Sequence, residues 1–474
     1  MRRVRITLVL VVCVLVVGVA EAQGPQAGAD GLGDPYYPEL GNGGYDALHY
    51  SIDLDVDVEG ELLSGTTTIQ AEATQDLASF NLDFIGFEIE AVTVDGAPAE
   101  YGRLGGELTI TPGEPLPAGQ DFTVAVTYAG RPQPFEPEAI AIRMGWNFFE
   151  GGAYVASEPS GAATWYPVND HPLDKATYSF RITVPGRYAA VANGLLVESI
   201  REAEGTTYVW EASDPTASYL VTVNVGEFVL QQQRGPGGLP IRNYFPPDLA
   251  GEAAYDFGRT GEMIALYNEA FGPYPFEAYG VVVVDTRLGF ALETQTLSLF
   301  GRNAVSGDRR SEGVVAHELA HQWFGNSVSL ARWSDIWLNE GFATYATGLW
   351  IEHLHGRGAL DDWMRGMYNQ LLPMEPLLKP PGRPSPDDLF SASVYYRGAL
   401  ALHALRLRVG DEAFFDILRT YYARYRDGNA TTEDFIAVAE AVSGEELGAF
   451  FQGWLYQQEM PPIPELGLAR PGSS

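Results

Sequence analysis

His317 and His321 lie four positions apart with Glu318 between them, in the segment His-Glu-Leu-Ala-His. Apolar spacing over residues 312–324 predicts a helix, which places both imidazoles on one face about one turn apart. At that separation a single Zn²⁺ can bind both rings, and Glu318 lies near enough to act as the base that deprotonates a metal-activated water. The same five-residue pattern also arises in helices by accident, so by itself it only indicates a metal site.

Glu340 lies in a second predicted helix, over residues 336–353, with eighteen residues between it and His321. Two histidines and one glutamate leave a coordination position open, which is typical of catalytic zinc, whereas a structural site closes that position with a fourth protein ligand. We therefore predict one Zn²⁺ per chain with Glu340 as the third ligand. Asp335 and Asn339 flank it and are expected around the ligands; Asp335 could orient a ligand histidine or could equally cap the helix.

Two stretches of different periodicity must position these side chains. Over residues 46–235, short segments such as 50–57 alternate apolar and polar residues between turns, which predicts an all-β domain, an antiparallel sandwich or saddle. Over residues 236–460 helical spacing dominates, with one buried strand at 281–284, which predicts a mostly α catalytic domain with some β structure. The Gly- and Pro-rich residues 231–240 are predicted to be the linker.

Both ends of the chain predict segments outside these domains. Residues 1–22 have a basic start, an apolar run over 6–20 and an Ala-x-Ala site, which is typical of a secretory signal peptide. The run is shorter than the roughly 20 residues that span a bilayer, so we expect export to the extracellular space or periplasm; the alternative is a membrane anchor through the same run. Residues 23–45 are expected to form a flexible leader and residues 461–474 a disordered tail.

Composition narrows the classes of function. The 474 residues include 62 acidic and 29 basic side chains, a net charge of −33, and such a surface repels nucleic acid and anionic membranes. We expect no nucleic-acid partner and no stable membrane contact once the signal is cleaved. The single cysteine, Cys13, lies in the signal, so the mature chain would have no disulfide and no thiolate chemistry. The oligomeric state is left open.

The segments around the three predicted ligands resemble a known family. His-Glu-Leu-Ala-His-Gln-Trp-Phe-Gly-Asn from residue 317 and Trp-Leu-Asn-Glu-Gly-Phe-Ala from residue 337 are similar to the aminopeptidase N family of zinc metallopeptidases, which includes the leukotriene-hydrolysing aminopeptidases. Residues 49–54, 165–170, 218–221 and 226–228 resemble further segments of that family, so the likeness spans about 45–460. It implies an N-terminal all-β antiparallel domain followed by a mostly α, thermolysin-like (α+β) catalytic domain.

The resemblance assigns substrate-binding residues. The exopeptidase signature of the family, Gly-Ala-Met-Glu-Asn, aligns with residues 290–294, where Ala291 and Glu293 are retained and Phe290 replaces the glycine. Glu293 would bind the free α-amine of the substrate, because an ammonium in a desolvated pocket needs a paired charge. Glu158 matches a second amine-binding acid from the β domain, although from the residues alone it could equally be a surface carboxylate.

Tyr395 matches the tyrosine of the Tyr-x-Lys-Gly segment of the family, which here is Tyr-Tyr-Arg-Gly. The alignment implies that Tyr395 donates a hydrogen bond to the oxyanion of the tetrahedral intermediate. From the residues alone, a tyrosine in an apolar helix more often packs in the core.

These observations together predict a zinc aminopeptidase that releases N-terminal residues from peptides with a free N-terminus. One alternative is a zinc endopeptidase, or another amide or epoxide hydrolase of the same fold. Another is a catalytically silent, zinc-stabilised binding protein. The sequence ends shortly after residue 455, without the large C-terminal helical domain of most family members, so we expect a compact member with a more open site.

Overall fold

The computed structural model describes residues 24–468 except 138, 139 and 141. It contains a sheet-rich N-terminal domain followed by a mostly helical domain, as the sequence predicts. The strands of the first domain are β1 (Gln26–Ala27), β2 (Tyr45–Asp57), β3 (Leu62–Ala73), β4 (Leu77–Asp83), β5 (Glu88–Val94), β6 (Ala97–Pro98), β7 (Glu100–Leu104), β8 (Glu107–Thr111), β9 (Asp121–Gly130), β10 (Gly145–Phe149), β11 (Gly152–Ala156), β12 (Ala176–Pro185), β13 (Ala189–Ala192), β14 (Leu195–Arg201), β15 (Gly205–Thr216) and β16 (Val223–Gly226).

An eight-stranded sheet in the order β14-β15-β12-β2-β3-β9-β5-β6 is the main element of this domain. In β2 the side chains alternate, so that Tyr50, Ile52 and Leu54 are buried on one face. Two four-stranded sheets, β1-β4-β8-β7 and β10-β11-β16-β13, complete the domain. The expectation of purely antiparallel pairing is wrong at one place in the large sheet, because β2 and β12 are parallel. The long connection between them, which holds most other strands of the domain, makes a parallel pair possible.

The second domain begins earlier than predicted. Its strands are β17 (Val229–Arg234), β18 (Pro240–Phe245), β19 (Val281–Val284), β20 (Ala291–Leu292), β21 (Ser298–Gly301), β22 (Ser329–Leu330) and β23 (Asn429–Ala430). The predicted linker, residues 231–240, is instead part of the β17–β18 hairpin, in a sheet of order β17-β18-β19-β21-β20. Gly237 and Gly238, with φ of 67° and 87°, form its turn. Glycine-rich sequences are typical of turns as well as of linkers. Only the pairing of the flanking strands shows that this segment is a turn.

Helices make up most of this domain. They are α1 (Ala250–Asp256), α2 (Thr260–Phe271), α3 (Glu312–Ala320), α4 (Trp337–His355), α5 (Arg357–Leu371), α6 (Gly398–Val409), α7 (Asp411–Tyr425), α8 (Thr432–Ser443) and α9 (Gly448–Phe451), with π-helical turns at Ser393–Arg397 and Gln452–Tyr456. The central helices α3, α4 and α6 are buried. In α4, Gly341 permits a close approach to α6, because a Cβ there would lie 3.0 Å from the Cα of Gly398.

The expected flexible leader packs against both domains. In this segment Asp34 and Asn42 are buried. Asp34 accepts a hydrogen bond from the backbone of Trp333 at 2.8 Å and lies 3.4 Å from the His171 ring. Asn42 donates to Asp83. The prediction from Gly and Pro content was therefore wrong for residues 24–45, because buried polar anchors fix the backbone in place.

The predicted disordered tail is also partly ordered. Leu466 and Leu468 are buried, and the Leu466 carbonyl accepts a hydrogen bond from Arg365 at 3.0 Å. The prediction was wrong for residues 461–468 because these apolar side chains find a place on the helical core. Residues 469–474 and the predicted signal, residues 1–22, lie outside the described residues. Within the described part of the chain, no helix combines the length and apolar character needed to cross a membrane.

Candidate active site

Helices α3 and α4 bring the three predicted ligands together. Nε2 of His317 lies 3.1 Å from Nε2 of His321 and 3.1 Å from Oε2 of Glu340. Nε2 of His321 lies 3.5 Å from the same carboxylate oxygen. Three donors bound about 2.1 Å from one ion are separated by comparable distances. The arrangement therefore fits a single Zn²⁺.

The electrostatics of the site also fit a cation. Oxygens of Glu158, Glu293 and Glu340 lie within 4.8 Å of one another, and Glu293, Glu318 and His321 form a second group of this kind. Burial raises the pKa of Glu340, but the two histidines outweigh it and lower that pKa to about 2. Burial lowers the pKa of His321, but Glu293 and Glu340 raise it to about 10. The negative charge of these acids therefore favours a proton on this imidazole. A divalent cation bound there would balance the same negative charge.

The surroundings of the ligands differ from the prediction at Asp335. Nδ1 of His321 donates to the Phe324 carbonyl at 3.1 Å, which leaves Nε2 free to bind a metal. Asp335 instead accepts hydrogen bonds from Thr432 at 2.7 Å and from Arg332 at 3.0 Å. Helix α4 begins without a side-chain cap. Asp335 therefore neither orients a ligand histidine nor caps this helix. Its hydrogen bonds instead link the start of α4 to the start of α8 through Thr432.

Asn339 lies beside the ligands, as predicted, but without a hydrogen bond to them. Its amide donates to the hydroxyl of Tyr219 at 3.3 Å. A Cβ built on Gly325 would lie 3.2 Å from Nδ1 of His321 and 3.3 Å from Cγ of Asn339. The two side chains therefore flank the same glycine, and Asn339 packs beside the histidine.

Glu158 and Glu293 meet across the domain boundary. Glu158 follows β11 of the first domain and Glu293 follows β20 of the second, and both are buried. Oε1 of each carboxylate is buried without a hydrogen-bond donor among the described residues. Burial raises the pKa of Glu158 well above its usual value, and Glu293 and Glu340 raise it further. Two buried acceptors without donors favour a ligand that brings N–H groups.

Tyr395 and Glu318 face the same space. The Tyr395 ring, in the π-helical turn before α6, stacks on His317 with centroids 5.9 Å apart and planes inclined by 13°. Burial and then Glu340 raise the pKa of Tyr395, which keeps its phenol protonated as a donor. Burial and then Glu293 raise the pKa of Glu318. Both groups line the cavity, as the alignment implied.

The cavity that these groups line has a volume of about 110 Å³. Its apolar walls are Ile140, Ile142, Ala156, Phe290, Ala291, Leu292 and Phe390. Ala291 and Glu293, kept from the exopeptidase signature, both lie here, and so does Phe290 in place of glycine. Ile140, Ile142 and Phe390 could not be predicted from the sequence, because isolated apolar residues in loops carry no spacing signal.

Known proteins resemble this chain both in sequence and in fold. The peptidase M1 N-terminal domain matches residues 46–220, and the peptidase family M1 domain matches residues 255–454. The M1 zinc metallopeptidase of Deinococcus radiodurans, solved with a Tyr-Ser-Ala substrate, superposes with a TM-score of 0.84 at 33% identity and covers 92% of this chain and 100% of its own. The chain belongs to peptidase family M1.

Other relatives of this M1 chain are longer. Aminopeptidase M1 of Arabidopsis thaliana is 29% identical over 66% of this chain and 37% of its own length. Human endoplasmic reticulum aminopeptidase 1 is 25% identical over 82% of this chain and 44% of its own. The chain thus spans about two fifths of these curated relatives. Yeast LTA4 hydrolase shares the fold, with a TM-score of 0.75 at 23% identity, over 89% of this chain and 69% of its own.

The family and the donor set agree on the cofactor, which is zinc. The resemblance and the fold class predicted from the sequence are confirmed by the same comparisons.

Proposed function

We propose that this M1 chain is a zinc aminopeptidase that removes N-terminal residues from peptides. The observation that carries the proposal is a pair of buried carboxylate oxygens beside the three-ligand cluster, on Glu158 and Glu293, for which the described part of the chain offers no hydrogen-bond donor. A substrate ammonium supplies both charge and N–H donors at that place. Several relatives are aminopeptidases by name, and a structural neighbour holds a tripeptide.

Zinc would be held by His317, His321 and Glu340, and when bound it supplies Lewis acidity that lowers the pKa of water and polarises a carbonyl. Glu318 accepts the proton of the attacking water and returns it to the leaving amine. Burial and then Glu293 raise its pKa above the ordinary value, which makes this carboxylate a stronger proton acceptor than an exposed one. The Tyr395 phenol donates a hydrogen bond to the developing oxyanion.

Glu293 and Glu158 bind the N-terminal ammonium and fix the scissile bond one residue away. The cavity that they line together with the metal ligands has a volume of about 110 Å³. Only the first residue of the substrate then fits between the amine anchor and the metal. This positioning explains exopeptidase action as a consequence of the distance between the amine anchor and the metal.

Export belongs to the proposal as well. The basic start, apolar run and Ala-x-Ala site of residues 1–22 support secretion to the extracellular space or periplasm. The strongly negative charge supports a protein without nucleic-acid partners.

The test compares aminoacyl arylamides with their N-acetylated forms, with and without a chelator. We expect chelator-sensitive cleavage of the free-amine substrates only. The variant Glu318→Gln should bind zinc normally and lose at least about 100-fold in kcat. Equal cleavage of blocked and free substrates would favour an endopeptidase instead, and no cleavage of either would favour a silent zinc-stabilised binding protein.

A further inference from the structure

Lysine occurs only twice in the sequence, at Lys175 and Lys379. Lys379 is exposed, whereas Lys175 is partly buried at the contact between the two domains. The Lys175 ammonium donates to the carbonyls of Asn326 at 2.9 Å, Ser327 at 3.0 Å and Gly428 at 3.5 Å. A compact ammonium with three donors suits three carbonyls that converge on one point, and a planar guanidinium does not.

Two of the three carbonyls that bind Lys175, those of Asn326 and Ser327, belong to the loop that follows the zinc-binding helix α3, and the third, that of Gly428, directly precedes β23. In this loop the Asn326 amide N–H donates to the His321 carbonyl at 3.0 Å. The side chain of Asn326 donates to the Glu293 carbonyl at 2.7 Å, and Gln322 donates to the same oxygen at 3.1 Å. The loop therefore holds the backbone of Glu293 on one side and is held by Lys175 on the other.

Lys175 itself is fixed in the first domain. It immediately precedes β12, and the adjacent Asp174 accepts a hydrogen bond from the Ala47 backbone at 3.1 Å. The same domain carries Glu158, the other half of the proposed amine anchor. The hydrogen bonds of Lys175 thus join the domain that carries Glu158 to the loop that binds the backbone of Glu293.

We propose that Lys175 is a positioning residue that sets the separation of Glu158 and Glu293 and so determines how tightly the substrate amine binds. The inference rests on the proposed aminopeptidase function. It assigns the lysine no contact with substrate or metal. Loss of its three hydrogen bonds would let the loop and Glu293 shift relative to Glu158, which weakens amine binding more than it slows the chemical step.

The test measures kcat and KM of Lys175→Met on a free-amine arylamide, with Lys379→Met as the matched control. Because three hydrogen bonds to the other domain are lost together, we expect KM to rise about 10- to 100-fold, with kcat changed less than about threefold. Binding of the free product amino acid, measured by calorimetry, should weaken by the same factor. Lys379→Met should match the wild type in every measurement.

A second variant, Asn326→Ala, removes the amide that carries the loop position to Glu293. It should raise KM like Lys175→Met, and the double variant should be little worse than either, because both changes act on the position of the same loop residue. If Lys175→Met does not fold, Lys175→Arg, which keeps the charge but lacks the compact ammonium that suits the three carbonyls, takes its place with the same expected rise in KM. A fall in kcat with unchanged KM and unchanged amino-acid binding would overturn the proposal. A wild type that fails to cleave free-amine substrates would overturn the proposed function, while calorimetry would still report on the lysine.

Discussion

Replacement of Glu293 by Gln tests the amine anchor most directly. The change keeps the shape of the side chain and removes its charge. Glu293 is buried, and burial raises its pKa while His321 lowers it. A neutral side chain is therefore tolerated at this position, and we expect folding and zinc content to remain those of the wild type.

The size of the effect follows from the neighbours of Glu293. Loss of one partner of a buried, hydrogen-bonded charge pair costs about 2–5 kcal/mol. Here Glu158 and Glu340 offer oxygens within 4.8 Å, so part of the attraction for the ammonium remains. We expect the lower half of that range, a loss of about 30- to 300-fold in kcat/KM. Most of it should come from KM, because the ammonium is bound in both the ground state and the transition state.

The assay measures steady-state cleavage of an alanyl arylamide by wild type, Glu293→Gln and a matched control, Glu277→Gln. The two carboxylate oxygens of Glu277 are also buried without a hydrogen-bond donor among the described residues, but Glu277 does not line the cavity. Its pKa is raised to about 8, chiefly by burial, so an amide mimics its neutral form. Unchanged kinetics in Glu293→Gln, or an equal loss in the control, would refute the assignment of Glu293 as amine anchor.

Three further predictions concern the metal, the cavity and the buried lysine. Glu340→Ala should bind zinc at least about 100-fold more weakly, as measured by metal analysis after dialysis; full zinc occupancy would contradict the ligand assignment. Phe290→Gly enlarges a cavity of about 110 Å³, so kcat/KM for N-terminal Phe relative to Ala should rise about tenfold; an unchanged ratio would show that this wall does not select the substrate. Burial lowers the pKa of Lys175 from 10.5 to about 7, so the unfolded chain binds more protons between these values and the wild type should gain stability as pH rises from 7 towards 10.5. The pKa change corresponds to a gain in the free energy of unfolding of at most about 5 kcal/mol, which the partial exposure of the side chain reduces. Urea unfolding at several pH values should show this gain in the wild type and not in Lys175→Met. Parallel pH profiles of stability for the two proteins would refute the prediction.

The local part of the site could be predicted from the sequence. The spacing of His317, Glu318 and His321 determines their relative positions, because a helix repeats every 3.6 residues. Glycine- and proline-rich segments were less informative. The prediction of a linker at residues 231–240 was wrong because the sequence does not show that the strands on either side, β17 and β18, pair with each other.

The chain by itself thus determined a zinc-binding helix, a third ligand in the next helix and the order of a sheet-rich and a helical domain, since each depends on periodicity within a short segment. Only the tertiary structure decided that Glu158 meets Glu293, that Tyr395 stacks on His317 and that Lys175 reaches the loop after the zinc-binding helix. These contacts join residues from different elements. Their distances depend on how whole elements pack, and no local spacing in the sequence specifies that packing.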